Sequence, residues 1–341
     1  MSFRCGCWLI QSHRSPKSRS RSASVISRLF TARSRVGRVA RPANTAVACW
    51  RLKPLELTSP DKPGRAPRSS LKGMPRIHAF EIHELPGCPD LLRRIATDYL
   101  RTVGEVFDAF EPITPLLTGA LSVSDEKRVI DLCSGGAGPV VQLTERAAER
   151  LRQAPSVVLT DLYPNHAAFA FVAERASVPV SSETVAVDAR AVPERLAGVR
   201  TVFDAFHHFR PDDARRILSD AAAKRAPILV VEATERSVGA VVGMLLFVPL
   251  LVLLLTPFVR PFSWPRLLLT YVVPLAVPLI VFDGLVSCLR SYTVAELQEL
   301  TRGLESNGYR FHIGTVKSRG QRLTYVLGTP ALPPDGTFPS S

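Results

Sequence analysis

The stretch VIDLCSGGAGPV, residues 129–140, decides how the rest of the chain is read. An apolar run ends in an acid, Asp131, and passes through a turn holding Gly135, Gly136 and Gly138 before Pro139 opens a helical pattern. Glycine lets a backbone turn tightly and approach a ligand closely, because no Cβ stands in the way. Proline suits an early helix position, where its missing N–H is no loss. By itself the turn is a weak signal, with an ordinary strand-to-helix connection as the lesser alternative.

Working outward, short apolar runs alternate with amphipathic helical patterns from Lys127 onward, which predicts βαβ units and a parallel sheet. The strand candidates are RVIDL at 128–132, SVVLTD at 156–161, TVAV at 184–187, RTVFDAF at 200–206 and PILVVEA at 227–233. Helical patterns fill 140–152, 165–176 and 211–224. Right-handed crossovers set such helices on both faces, and ligands then bind outside the carboxyl ends of the strands. The second candidate ends in Asp161, 23 residues past Gly138, where a carboxylate can accept from both hydroxyls of a ribose. The third ends in Asp188-Ala189, where an acid and the adjacent backbone can read a base edge. Taken singly, either acid is as well explained by a helix N-cap. The order and spacing of all three strand ends point to a nucleoside ligand.

With these residues in place, the chain resembles the class I S-adenosylmethionine-dependent methyltransferases over about 90–330, and DLCSGGAG is similar to that family's first motif. The resemblance implies an α/β fold: a Rossmann-like methyltransferase sheet, mostly parallel with an antiparallel last strand. It implies S-adenosyl-L-methionine as cofactor. Asp131, Gly135 and Gly138 would line its methionine part, with Cys133 and Gly136 in the same loop. Asp161 and Leu162 would hold the ribose, and Asp188 with Ala189 would lie beside the adenine. Cys133 stands at a common glycine position, and Ala137 departs from the motif's register. A dinucleotide-binding reading fits less well, since G-x-G-x-x-G is absent, and no Tyr-x-x-x-Lys pair serves hydride chemistry.

The stretch FDAFHHFRPDDARRIL at 203–218 resembles the family's fourth motif, which runs beneath the transferring methyl group. His207 and His208 are therefore the catalytic candidates, because imidazole titrates near neutrality and can take a proton from an acceptor O–H or N–H. The structural alternatives are packing of His207 against the cofactor and capping by His208 of the helix begun at Pro211. No metal is expected from this pair: adjacent histidines point apart, and no carboxylate lies at helical spacing. Methyl transfer asks for little chemical help in any case, since in-line alignment can supply about 7 to 11 kcal/mol.

Beyond Glu232 the chain changes character. Residues 237–259, SVGAVVGMLLFVPLLVLLLTPFV, carry no charge; as a helix they reach about 34 Å, enough to cross a bilayer's hydrocarbon core. A second uncharged run, 267–282, is shorter, and RPFSWPR at 260–266 supplies residue types of the membrane interface between them. This predicts an inserted hydrophobic helical hairpin with the lipid bilayer as partner. The residues that follow complete the sheet: 291–308 reads as a helix with a capping box at Thr293 and Glu296, and 309–316 and 323–330 as paired strands. The chain must thus return to the side it left. A cytoplasmic cofactor would place the catalytic domain facing the cytoplasm. Two crossings would then leave Arg260 and Arg266 outside, against the positive-inside tendency; immersion in one leaflet, or a soluble apolar lid, are the alternatives. Asp283 and Arg290, seven residues apart, share a helical face and are expected to pair or to hold an acceptor at the boundary. Through the resemblance, an insertion after the fifth strand implies an apolar or lipid-linked small-molecule acceptor. One hairpin lacks the inverted repeat and charged path of a transporter.

Charge separates the folded part from a tail. The chain carries 43 Lys+Arg and 30 Asp+Glu; residues 1–73 hold 16 of the bases and two of the acids, leaving 27 against 28 for 74–341. The folded part is therefore not expected to bind nucleic acid. The tail's Arg, Ser and Pro content predicts disorder, with a transit peptide, a nucleic-acid arm, an anionic-lipid anchor and a start at Met74 as competing readings. Six scattered cysteines exclude a disulfide-stapled secreted domain and a zinc ribbon. The expected organisation is a tail at 1–73, an N-terminal helical lid at 74–126, with Tyr99 either touching cofactor or packed in the core, a cofactor-binding core at 127–236, the hairpin at 237–290, a helix and two strands at 291–330, and a disordered end at 331–341. The rival reading is a membrane-attached scaffold with a degenerate cofactor fold.

Overall fold

Strands apolar on both faces need a helical layer on either side, and the chain supplies both. A computed structural model describes residues 75–330, except 152, 306 and 307; the expected disordered segments at 1–73 and 331–341, and the start at Met74, lie outside the described residues. The parallel strands are β1 (Arg128–Asp131), β2 (Ser156–Leu159), β3 (Val180–Ser182), β4 (Val199–Phe203) and β5 (Ile228–Glu232), followed by β6 (Arg310–Ser318) and β7 (Gln321–Thr329). They pair in the order β3-β2-β1-β4-β5-β7-β6, with β7 antiparallel to β5 and β6. This is the Rossmann-like methyltransferase sheet, mostly parallel with antiparallel last strands.

Successive residues in a strand point to opposite faces. Val129, Val157 and Leu229 accordingly pack with α2 (Thr114–Val123), α3 (Val140–Ala148) and Phe169 of α4 (His166–Ala173). Ile130, Val158 and Val230 pack under α5 (Pro211–Ala223) and α9 (Val294–Thr301). The expected capping box opens α9: Glu296 N–H donates to Thr293 Oγ1, and Thr293 N–H to Glu296 Oε2 at 2.8 Å. That helix stops at Thr301, short of the expected 308. The third strand also differs from expectation. It is Val180–Ser182, and TVAV at 184–187 is irregular. Pairing with β2 runs from Val157↔Val180 to Leu159↔Ser182, so β2 ends before TVAV is reached.

The hairpin consists of α6 (Val238–Leu255), a short α7 (Trp264–Leu267) and α8 (Ala276–Arg290). Counted through Phe258, α6 is the one unbent helix among the described residues long and apolar enough to cross a membrane; Trp264–Val272 and Ala276–Arg290 bend by 87°. Leu246, Phe247, Leu250 and Leu254 are exposed along α6. The opposite face is covered by α1 (Asp90–Phe107), where Ile95 and Tyr99 pack with Val252, Ala276 and Ile280. Tyr99 is thus core. Arg266, read from the sequence as a residue of the membrane interface, is instead buried against the carboxylate of Asp98 in α1, and Arg101 donates to the carbonyl of Arg260. A guanidinium taken out of water needs an anion beside it, and Asp98 provides one by drawing the turn back onto the α/β body.

Candidate functional site

The strand order reverses between β1 and β4, which lie side by side while β2 and β3 extend the sheet the other way. In such sheets the ligand crevice opens outside the carboxyl ends of the strands at that reversal. Asp131 closes β1 there and is 2% exposed. Its Oδ1 accepts from Thr201 Oγ1 at 2.6 Å. Burial pushes its carboxyl up to about 7, opposed by hydrogen bonds from Thr201 and Ser134 and reinforced by the charge of Asp161.

Asp161 follows β2 by two residues and binds the glycine turn directly: Gly135 N–H donates to Oδ2 and Tyr163 N–H to Oδ1, both at 2.7 Å. Each oxygen retains acceptor capacity for a ligand hydroxyl. Leu162 beside it is half exposed. The N–H of Val187 donates to the Asp161 carbonyl at 3.0 Å, which ties the run leading to Asp188 and the buried Ala189 to the same edge. The Cys133 thiol is raised far above its ordinary value by burial and then by Asp161, Asp131, Asp188 and Glu232. Asp188 is already engaged: Arg190 grips it through Nε at 2.9 Å and Nη2 at 2.7 Å, which holds its carboxyl below the usual range.

The turn itself is strained. Cys133 and Ala137 adopt φ of +58° and +72°, alongside +53° at Gly135 and +25° at Gly138; the left-handed region costs a side-chain-bearing residue about 1 to 2 kcal/mol. The glycines divide their work in a way the sequence did not disclose. A Cβ at Gly136 would lie 2.5 Å from the carbonyl oxygen of Thr97, so that glycine admits α1 rather than a ligand. At Gly138 a Cβ would meet nothing within 4 Å, and the open space of the turn lies there.

Strand β4 leads into a 3-10 turn, Phe206–His208. His207 is buried, with Nδ1 2.5 Å from Glu232 Oε2 at the end of β5 and Nε2 3.5 Å from Glu81 Oε1. Burial alone would lower its pKa; Glu232 and Glu81 outweigh that and lift it to about 10, so His207 is an imidazolium at neutral pH. Burial likewise opposes the charge on Glu232, but the His207 partner holds that carboxyl below its ordinary value. His208 is lowered by burial and by the charge on His207, against Glu81 and Glu84; its Nδ1 lies 2.5 Å from Glu84 Oε1. Its side chain does not cap α5.

Asp283 and Arg290 do not pair with each other. Both reach from α8 to the segment preceding α1: Asp283 accepts from the N–H of Ile82 at 2.6 Å and from His83 Nδ1 at 2.8 Å, and Arg290 binds Glu81 at 3.3 Å and Glu84 at 2.5 Å. Arg290 also donates to the His208 carbonyl at 2.6 Å, and Arg76 to that of His207 at 2.7 Å. Residues 76–84 are thus a strap across the end of β4. Sequence reasoning missed Glu81, His83 and Glu84. Their one visible signal was EIHE at 81–84, acids interleaved with a histidine just ahead of the first helix.

No protein-family model matches the chain, and no curated protein matches it in sequence. Solved structures similar to it include the plantazolicin methyltransferase BpumL in complex with SAH, at 12% identity and a TM-score of 0.39, covering 70% of this chain and 95% of that one. An O-methyltransferase family 2 protein from Planctomyces limnophilus DSM 3776, in complex with apigenin, matches at 11% and 0.43 over 72% of this chain and 63% of its own. The magnesium protoporphyrin IX methyltransferase ChlM from Synechocystis PCC 6803, with bound SAM, matches at 11% and 0.35 over 66% and 79%. Identities at this level speak to the fold alone. Strand order and the residues described above carry the reading that follows.

Proposed function

We propose that this chain is an S-adenosylmethionine-dependent methyltransferase working at a membrane on an apolar or lipid-linked small molecule, with the methyl group going to O, N or C. The observation that supports it is the arrangement at the sheet's reversal point: Asp131 ends β1 just before the glycine turn, Asp161 accepts from that turn at Gly135, and Val187 ties the segment leading to Asp188 to Asp161. The residues suit the cofactor: an open cradle at Gly138, a hydroxyl-accepting carboxylate at Asp161, and a buried acid at Asp131 that a cation would help to ionise. When bound, that cofactor supplies a methyl group already activated on a sulfonium sulfur.

The chain's part is to bind and to align. Asp131 with Gly135, Gly138 and the adjoining Cys133 would hold the methionine part, while Gly136 seats α1 over the turn. Asp161 and Leu162 would take the ribose. Asp188 and Ala189 would flank the base, with Arg190 sharing or releasing its carboxylate. His207 and His208 would border the acceptor, His208 facing it with its side chain 18% exposed and His207, pinned by Glu232, positioning the turn behind. Residues 237–290 would rest in one leaflet, because the Asp98–Arg266 pair keeps the hairpin's turn against the body while α6 leaves its outer face apolar and bare. The sheet would then face the cytoplasm.

Calorimetry of detergent-solubilised protein with S-adenosylhomocysteine tests the core of this reading. Asp161→Asn, which keeps an acceptor oxygen for the Gly135 turn, is expected to bind at least tenfold more weakly; no binding by the parent protein, or equal binding by the variant, refutes it. The grip of Arg190 on Asp188 favours a second reading, a membrane-attached scaffold with a degenerate cofactor fold. Transfer of labelled methyl to a membrane lipid extract separates the two, since a scaffold transfers none.

A further inference from the structure

The strap and the end of β4 bring together three residues, one of which, His208, the proposed methyl transfer sets beside the acceptor. Glu81, His83 and His208 offer one ligand atom each, and these atoms all lie within 4.8 Å of one another. Glu81 Oε2 is 3.6 Å from His83 Nδ1, and Glu81 Oε1 is 3.7 Å from His208 Nδ1. Both distances exceed hydrogen-bond reach. Both are close to the roughly 3.4 Å that separates neighbouring ligands of a tetrahedral ion whose bonds are about 2.0 to 2.2 Å.

We infer that Glu81, His83 and His208 form a site for a divalent first-row transition ion of the zinc class. Two imidazoles and a carboxylate are the donor set such ions favour, where magnesium and calcium prefer oxygen alone. The surroundings favour a cation. Asp283 lies 2.8 Å from His83 Nδ1, and Glu84 lies 2.5 Å from His208 Nδ1; these carboxylates stand beside the same ring nitrogens that face Glu81, so negative charge is concentrated where an ion would lie. Ser287 Oγ donates to Glu81 Oε1 at 3.0 Å and steadies the third ligand. Glu81 is 1% exposed, while the His83 and His208 side chains remain 16% and 18% exposed. A three-ligand ion there would keep one coordination position on the open side, the arrangement of catalytic rather than structural zinc. That position could take an oxygen or nitrogen of a bound small molecule.

The inference does not depend on methyl transfer, because ion binding is read without cofactor or acceptor. Full-length protein in detergent is stripped with a chelator and titrated with Co(II), followed by visible d–d absorption, and with Zn(II), followed by calorimetry and elemental analysis. One equivalent is expected, with affinity falling at least tenfold in His83→Ala and in Glu81→Gln, and falling also in Asp283→Asn, which removes a negative charge beside the His83 nitrogen. Thermal unfolding of each variant without metal establishes that it folds; His83→Ala, at a partly exposed position, is the variant to rely on if Glu81→Gln does not. No bound equivalent, thiolate charge-transfer bands that place the ion on cysteine, or unchanged affinity in folded His83→Ala would each overturn the assignment.

Discussion

Asp131→Asn separates what this residue does for folding from what it does for a ligand. The carboxyl titrates near 7 in the native state against an ordinary value of 3.8. Between those values the folded chain keeps a proton that the unfolded chain has released, so stability falls as pH rises and levels off above about pH 7. A displacement of about three pH units at about 1.4 kcal/mol each sets an upper limit of about 4 kcal/mol on that penalty. Asparagine preserves an oxygen for Thr201 Oγ1 and cannot ionise. The ligand-free variant should therefore melt higher than the parent at pH 8, by several degrees at about 2 to 4 °C per kcal/mol, with the difference vanishing near pH 4. A cationic cofactor reverses the sign, because it binds the ionised acid better. Parent affinity for S-adenosylmethionine should rise between pH 6 and pH 8, whereas the variant should bind at least tenfold more weakly at pH 8 with a flat profile. Differential scanning calorimetry and titration calorimetry at the two pH values measure both effects. A variant that melts lower at pH 8 and keeps the parental binding profile refutes the reasoning.

Cys133→Gly and Ala137→Gly should each stabilise the ligand-free protein by about 1 kcal/mol by relieving positive φ; a lower melting temperature in both would show that the turn is not strained. Arg266→Ala leaves Asp98 buried without its partner and should cost about 3 to 5 kcal/mol. Asp98→Leu combined with Arg266→Met should recover most of it, and a double variant that melts no higher than the single contradicts this. Leu246→Asp with Leu250→Asp, both on the exposed face of α6, should cut vesicle flotation at least tenfold without lowering the melting temperature in detergent. Undiminished flotation would show that the anchor lies elsewhere.

The local grammar of the chain was legible in advance. Apolar runs of four or five residues, the glycine turn after Asp131, the capping box at Thr293 and the paired final strands all follow from periodicity and turn chemistry within short windows, and apart from the displaced third strand they build the expected sheet, mostly parallel with an antiparallel end. The apolar insertion was equally plain, since absence of charge over 237–259 needs no fold to be seen. What a window cannot show is a partner far along the chain. Glu81 meets Arg290 across 209 positions, Gly136 owes its missing Cβ to the backbone of Thr97, and Arg266 leaves water only because Asp98 stands on the helix it folds against. Periodicity assigns each residue a face; packing of α1, α8 and the strap against the sheet decides which charged groups become neighbours. Burial then settles the protonation of Asp131, and the carboxylates of Glu232 and Glu81 settle that of His207 against burial, because the cost of a charge depends on the surroundings that the whole fold assembles.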